Sequence, residues 1–391
     1  MKWIFVTLAF VAVLFATGCG GSNSSNNSGT GSNTGATPGS ANGGSGGSAQ
    51  AGTYVYVANH GAGTISTFRL NSDGTLAAAG SSVPSPGAHW VATIGNKFLV
   101  SAEESGSGQL HLFQISSTNG SLTSVNTAVM QSPPTGLTAD QGKSVVYSST
   151  GNGIYAFAVS SSGLAPLTGS PYFTNPAGQD PRSDKQGRSV LVDPSGKFLF
   201  AGFGGYRGSG LIAAIARDAS GALTTEKAAI ADGPESLAAL WGGSILYGDN
   251  PILGFQVGPA GDLTPIVGGP VLSGQHLTTD PSGHFMLATD EGFSGTGHVH
   301  VYSVNQSTGI AQEVSGSPFS SGGVGPSIVR VDSSGKFAIV ANGSNNVTTS
   351  PSNNLVVYRF DSSTGQLTTV GSPLSSDALP TDVAFATVSG T

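Results

Sequence analysis

SVLVDPSGKFLFAGF, Ser189 to Phe203, is the stretch whose reading decides the fold. Two short runs rich in Val, Leu and Phe flank Asp193-Pro194-Ser195-Gly196, a turn sequence between two strands, so the segment predicts a β-hairpin. The same text returns as HLTTDPSGHFMLATD from His276 and as SIVRVDSSGKFAIVAN from Ser327, with weaker copies elsewhere. A hairpin that recurs along a chain predicts a repeat architecture.

Outward from this hairpin the copies can be counted. The residue after the hairpin glycine, or its equivalent, is Thr53, Lys97, Lys143, Lys197, Ser244, His284 and Lys336, at spacings of 44, 46, 54, 47, 40 and 52 residues. Each unit continues into a third strand, as in TISTFRL, QLHLFQI, GIYAFAV, HVHVYSV and NLVVYRF, and then into a turn and a fourth, as in NGSLTSV and TGQLTTVGSP. Four strands at that period make a propeller blade. The chain enters at YVYVAN with no inner strand before it and leaves on PTDVAFATVSG, which resembles the inner-strand text PSIVRVDSSG. Placing Asp382 to Val388 inside the blade begun by Tyr54 gives seven complete blades and removes the open sheet edges. The predicted fold class is therefore all-β, a seven-bladed β-propeller over residues 53–391, closed by its C-terminal strand. The four-strand period disfavours a two-sheet sandwich or a β-helix.

Composition agrees. Of 391 residues, 60 are Gly and 21 Pro, and only 9% are charged. The formal net charge is −7 and there is no run of Lys or Arg, which argues against nucleic acid as a partner. The continuous repeat argues for one domain despite the length.

Residues 1–18 have the form of a signal peptide: Lys2, then an apolar run from Trp3 to Phe15, too short to span a bilayer comfortably. Ala16-Thr17-Gly18-Cys19 resembles a bacterial lipobox, with Ala16 where Leu is usual, which implies cleavage after Gly18 and lipid on Cys19. The alternative is an ordinary secretory leader with an unrelated cysteine. Cys19 is the only cysteine, so no intramolecular disulfide can form. Gly20, rather than Asp, follows it, which favours the outer membrane in a host that has two. Residues 19–52 are almost wholly Gly, Ser, Asn, Thr and Ala, the composition of a disordered tether with a mean span of about 30 Å. The expectation is an extracytoplasmic, lipid-anchored monomer in the cell envelope.

Taken together, VDPSGKFLFAGF, VDSSGKFAIVAN, VVYRFDSSTGQLTTVGSP and YVYVANHGAGTISTFRLNSDGTL resemble the seven-bladed propeller lactonases, the 6-phosphogluconolactonase-like or cycloisomerase-2-like family. The resemblance covers Tyr54 to Val388. It implies a lactonase acting on a sugar-derived or other lactone at the channel mouth; no cofactor is expected and no residue is assigned as a metal ligand. The family pattern has a His-x-His and a Pro-Arg-His in blade links and an Asn-Glu in a following loop. Pro181-Arg182 matches, but Ser183 stands where the His would be, Ala102 precedes Glu103 in place of Asn, and no link holds a His-x-His.

In such a ring the loops between second and third strands and the links between blades emerge on one face. The loops carry Asn59-His60, Glu103-Glu104, Asp249-Asn250, Asp290-Glu291 and Asn342; the links carry His89, Asp180, Arg182, Asp184, Arg188, Glu235 and His276. Opening a lactone needs a base to activate water and a donor or cation to steady the oxyanion. Glu103, His89 or His276 can serve as base and Arg182 or Arg188 as stabiliser, while His60, His89, Glu104, Asp249, Asp290 and Glu291 are candidate binding residues. Each of these also fits a solvated loop charge or a turn cap. His298 and His300 share one side of a strand, as metal ligands could, but without a third ligand they read as packing residues. Trp90 and Trp241 fall in inner-strand text and are expected in the core. No G-x-S-x-G elbow occurs in residues 53–391 and no H-E-x-x-H occurs at all, which argues against those serine and zinc hydrolase patterns. Two readings stay open: a lactonase, or a non-catalytic surface module that binds glycan, peptide or a protein partner through the same rim.

Overall fold

The computed structural model describes residues 51–391, apart from residues 105, 107, 174–185, 205–209, 232, 293–294, 345 and 348–349. The expected signal peptide, Cys19, the expected tether up to residue 50 and the 180–184 link, with Arg182, lie outside the described residues, while Gly52, placed in that tether, belongs to the first strand.

Seven antiparallel sheets follow one another, and each is ordered as the repeat demands. The copy at Ser189 to Phe203 lies in a blade formed by Gln186–Val192, Phe198–Gly204, Leu211–Arg217 and Leu223–Ile230, paired in that order from the inside outward. The sheet begun by Gly52–Asn59 receives its inner strand from Pro380–Val388, with Val55 opposite Phe385 and Val57 opposite Val383. First and last blade are thus one sheet, and the predicted closure is observed.

The core explains why the strands read as they do. Seven apolar clusters each join two neighbouring blades, so both faces of a sheet are covered and the central strands are apolar on both sides. All of Phe198–Gly204 is buried for this reason. Tyr54, Tyr56, Ala384 and Ala386 pack toward the second blade, whereas Val55, Val57, Val383 and Phe385 pack toward the seventh. The alternation of the closing strand therefore fills two different interfaces.

The hairpin motif also has a physical account. In the seventh blade, buried Asp332 accepts the backbone N–H groups of Ser334 (3.1 Å), Lys336 (3.0 Å) and Phe337 (2.8 Å) and the Ser334 hydroxyl (2.6 Å). Asp193 and Asp280 do the same in their copies. One carboxylate satisfies a turn that two packed strands would otherwise leave with unpaired donors. Gly335 has φ of 68°, where a side chain would strain the backbone.

At the opposite end the strands are less regular. In six of the seven blades the inner strand is bulged near its start, and the residues skipped by the pairing are Thr381, His89, Thr135, Arg188, His276 with Leu277, and Ser327. Bulges re-aim side chains and occur next to functional sites. Several hydroxyls at this level stitch neighbouring blades together. Thr381 donates to the His89 carbonyl (2.8 Å), Thr135 to the Gly187 carbonyl (2.7 Å), and Ser327 to the Pro380 carbonyl (2.7 Å).

Candidate functional site at the channel mouth

The bulged ends of the inner strands and the loops after the second strands surround a cavity of about 590 Å³ that continues down the central channel. Its titratable lining at the mouth is His60, His89, Glu104, Glu235, His276 and Glu291.

Glu104 is the centre of one wall. Its Oε2 lies 2.7 Å from His89 Nδ1 and 3.5 Å from His60 Nε2. The hydrogen bond from His89, with the positive potential of both imidazoles, holds the Glu104 carboxyl below the usual carboxylate range against the opposing effect of burial. The His60 and His89 rings meet edge to face at 5.4 Å, and His89 lies against Trp90 at 4.2 Å. Trp90 thus forms cavity wall under the histidine as well as packing against the core, while Trp241 covers His284 at 4.1 Å. One ring nitrogen each from His60 and His89 and a Glu104 oxygen all lie within 4.8 Å of one another, and this is the one group of three among the described residues that could hold a metal ion.

The other wall is built around His276. Asp249, a buried carboxylate, accepts the N–H groups of Glu235 (2.8 Å), Ser236 (2.9 Å) and His276 (3.2 Å) and the Ser236 hydroxyl (2.6 Å). Asp249 is therefore the internal brace of two links, not a side chain presented at the rim. His276 has φ of 49°, an uncommon conformation for a residue with a side chain, and the bulge with the Asp249 bond holds it there. Burial pushes its imidazole pKa down, opposed by the nearby carboxylates of Asp249, Glu291 and Glu235 and reinforced by His89. Glu291 is buried beside it and accepts the Ser344 hydroxyl.

The remaining sequence candidates fall elsewhere. Glu103 does not line the cavity: its carboxylate sits over Gly106 and faces His111, whose pKa burial lowers and Glu103 partly restores. Arg188 is exposed and pairs with Glu235 at 3.3 Å, outside the cavity lining. Asp290 accepts the Gly292 N–H at 3.1 Å and lies 4.0 Å from His300 Nε2. His300 itself is tied to Glu313 at 2.8 Å, consistent with its reading as a packing residue. Sequence reading passed over Arg330 and Asp382, which lie deeper in the channel and bond at 2.9–3.0 Å across the first and seventh blades. The available signal was a charge in an apolar slot, since Arg330 stands where the copy at Ser189 has Leu191.

A closed ring of seven four-stranded blades, with six titratable side chains around the mouth of one cavity, defines a seven-bladed propeller with a candidate site on that face. The sequence profile of the family Lactonase, 7-bladed beta-propeller, matches residues 96–322, more than half of the chain, and the chain belongs to this family. No curated protein matches it in sequence. Among solved structures, a 6-phosphogluconolactonase-like protein from Bacteroides fragilis is similar at 20% identity and a TM-score of 0.68, over 85% of this chain and 97% of that one. The periplasmic gluconolactonase of Pseudomonas aeruginosa is similar at 17% identity and a TM-score of 0.67, over 86% of this chain and 100% of that one. A protein from Lactobacillus plantarum gives 16% identity and a TM-score of 0.67, over 86% and 100%. At these identities the likeness is one of fold.

Proposed function

We propose that this propeller hydrolyses a lactone at the channel mouth, with His276 as general base and the His60–His89–Glu104 wall as electrophile. The observation that carries the reading is the convergence of these groups on one cavity, His276 being kept neutral by burial. A neutral imidazole can take a proton from water at pH 7, and the carboxylates of Asp249 and Glu291 favour the imidazolium that results. The hydroxide oxygen bonds to the lactone carbonyl carbon and negative charge passes to the carbonyl oxygen. The His60 and His89 rings, gathered around the Glu104 carboxylate, present N–H donors to that oxygen. The ring C–O bond then breaks, the proton returns from His276 to the departing alkoxide, and a hydroxy acid leaves. Family membership and the gluconolactonase and 6-phosphogluconolactonase-like neighbours support a sugar-derived lactone as the substrate class.

The test is acid release from a panel of sugar and aliphatic lactones. His276→Gln should lower the rate by about 10²–10⁴ with the fold intact. Glu103→Gln should leave it near the parent value. Turnover that His276→Gln does not touch would reject this site, and no turnover on any lactone would leave the rim as a binding surface. The proposal includes the setting: a lipid on Cys19 tethering the ring to the cell envelope, in which case Cys19→Ser moves the protein out of the membrane fraction.

A further inference from the structure

The His60–His89–Glu104 wall has a second use that the hydrolysis scheme does not require. We infer that these three residues form a binding site for a divalent transition metal of the zinc type, with its remaining coordination position open to the cavity. Two imidazole nitrogens and one carboxylate oxygen are a donor set that suits zinc, and three protein ligands with a fourth position left free are the arrangement of zinc sites that act on substrate. Zinc bonds of about 2.0–2.2 Å in a tetrahedron put neighbouring ligand atoms roughly 3.3 Å apart. His60 Nε2 and Glu104 Oε2 already stand at 3.5 Å. His89 Nδ1 and Glu104 Oε2, at 2.7 Å, share a proton and need to open by about half an ångström when a metal takes its place.

The three ligands come from positions that the fold fixes separately. His89 is the bulged residue of the second blade's inner strand, Glu104 follows that blade's second strand, and His60 follows the second strand of the first blade. The site therefore bridges the blade closed by the C-terminal strand and its neighbour. The weak point lies in the support of the ligands. His60 Nδ1 is buried with no hydrogen-bond partner, so a metal on Nε2 leaves the other ring nitrogen without the acceptor that such ligands usually have. Missing outer partners cost about 10–100-fold in affinity, which sets the site below a fully supported zinc centre. A bound metal would put its positive charge where the wall puts its N–H donors in the proposed reaction. Metal binding itself does not depend on turnover and can hold or fail independently of it.

The experiment is titration of the chelator-stripped full-length protein with Zn²⁺ by calorimetry, and with Co²⁺ followed by visible absorption. One ion should bind per chain, and cobalt should give the intense absorption of a four-coordinate N/O site. His60→Ala and Glu104→Gln should each weaken zinc by more than the roughly 10–100-fold expected for an outer partner. Their circular dichroism and melting temperature without metal report whether the ring is intact. His300→Ala removes the other His–Glu pair, His300 with Glu313, and should leave the stoichiometry and affinity unchanged. No binding by the parent, or binding that survives both wall substitutions in a folded ring, would overturn the site. Loss of binding in His300→Ala alone would place the ion elsewhere and overturn it too.

Discussion

The two faces of the ring are built by opposite means. On the hairpin face, Asp193, Asp280 and Asp332 occupy one position and accept the same set of turn N–H groups, so the face is a repeated solution to one local problem. On the mouth face, equivalent positions hold Thr381, His89, Thr135, Arg188, His276 and Ser327, six bulged positions with four kinds of side chain. A position that repeats answers to the fold. A position that the fold leaves free to vary, and that a bulge turns toward a cavity, answers to what enters the cavity.

The largest effect that tests this contrast lies in neither face but in the strand that joins them. Deleting residues from Pro380 onward removes Val383, Phe385 and Val388 from the two interfaces of the closing blade, and each is worth roughly 1.5–3 kcal/mol. It also bares the edge of Gly52–Asn59. We expect a loss of more than about 5 kcal/mol in denaturant unfolding, and a truncated chain that melts with the parent would disprove closure.

Next in size, and confined to the mouth, is the pH profile of the proposed lactone turnover by the parent protein. Because burial lowers the His276 pKa from its ordinary 6.5, its neutral form persists below that pH. Lactone turnover should hold level from neutral pH to below 6.5 and fall about tenfold per pH unit once His276 is protonated. An acidic limb centred at or above 6.5 that disappears in His276→Gln would contradict the assigned state.

On the hairpin face the expected effect is on stability alone. Asp332→Ala strands three backbone donors beside a packed turn and should cost about 1–3 kcal/mol. Turnover measured well below the melting temperature should be unchanged, and a drop in kcat would show that the faces are coupled. The smallest effect is expected from Arg188→Ala. Its pair with Glu235 is exposed on both sides and should contribute at most about 1 kcal/mol. If that substitution abolished turnover instead, the boundary of the site would have to be moved outward to include it.

This division also explains what could be read in the sequence. The blade count, the strand order and the closure by Asp382 to Val388 were legible because Asp-x-Ser-Gly turns and two-sided apolar strands recur, and recurrence is visible in one dimension. The rim was legible as a set: charge is scarce, and His60, His89, Glu104, His276 and Glu291 do meet at the cavity. Their individual placement was not. Glu103 and Glu104 are adjacent in sequence, yet strand alternation sends one to the cavity and the other toward His111. Asp249 looked like a rim acid because nothing in the sequence shows that three N–H groups from two other links point at it. Arg330 and Asp382 meet only because the ring is closed, and their partnership leaves no local pattern.

Closure by the last strand also sets a clock. Some 320 residues separate Asn59 from its partner Pro380. At about 5–20 residues per second, a ribosome needs roughly 15–65 s to supply the second after the first. Throughout that interval Gly52–Asn59 has no inner neighbour, so an edge that the finished molecule lacks is present on every growing chain. The same pairing that covers Gly52–Asn59 in the mature ring makes the nascent one depend on being kept apart from its neighbours until its final strand arrives.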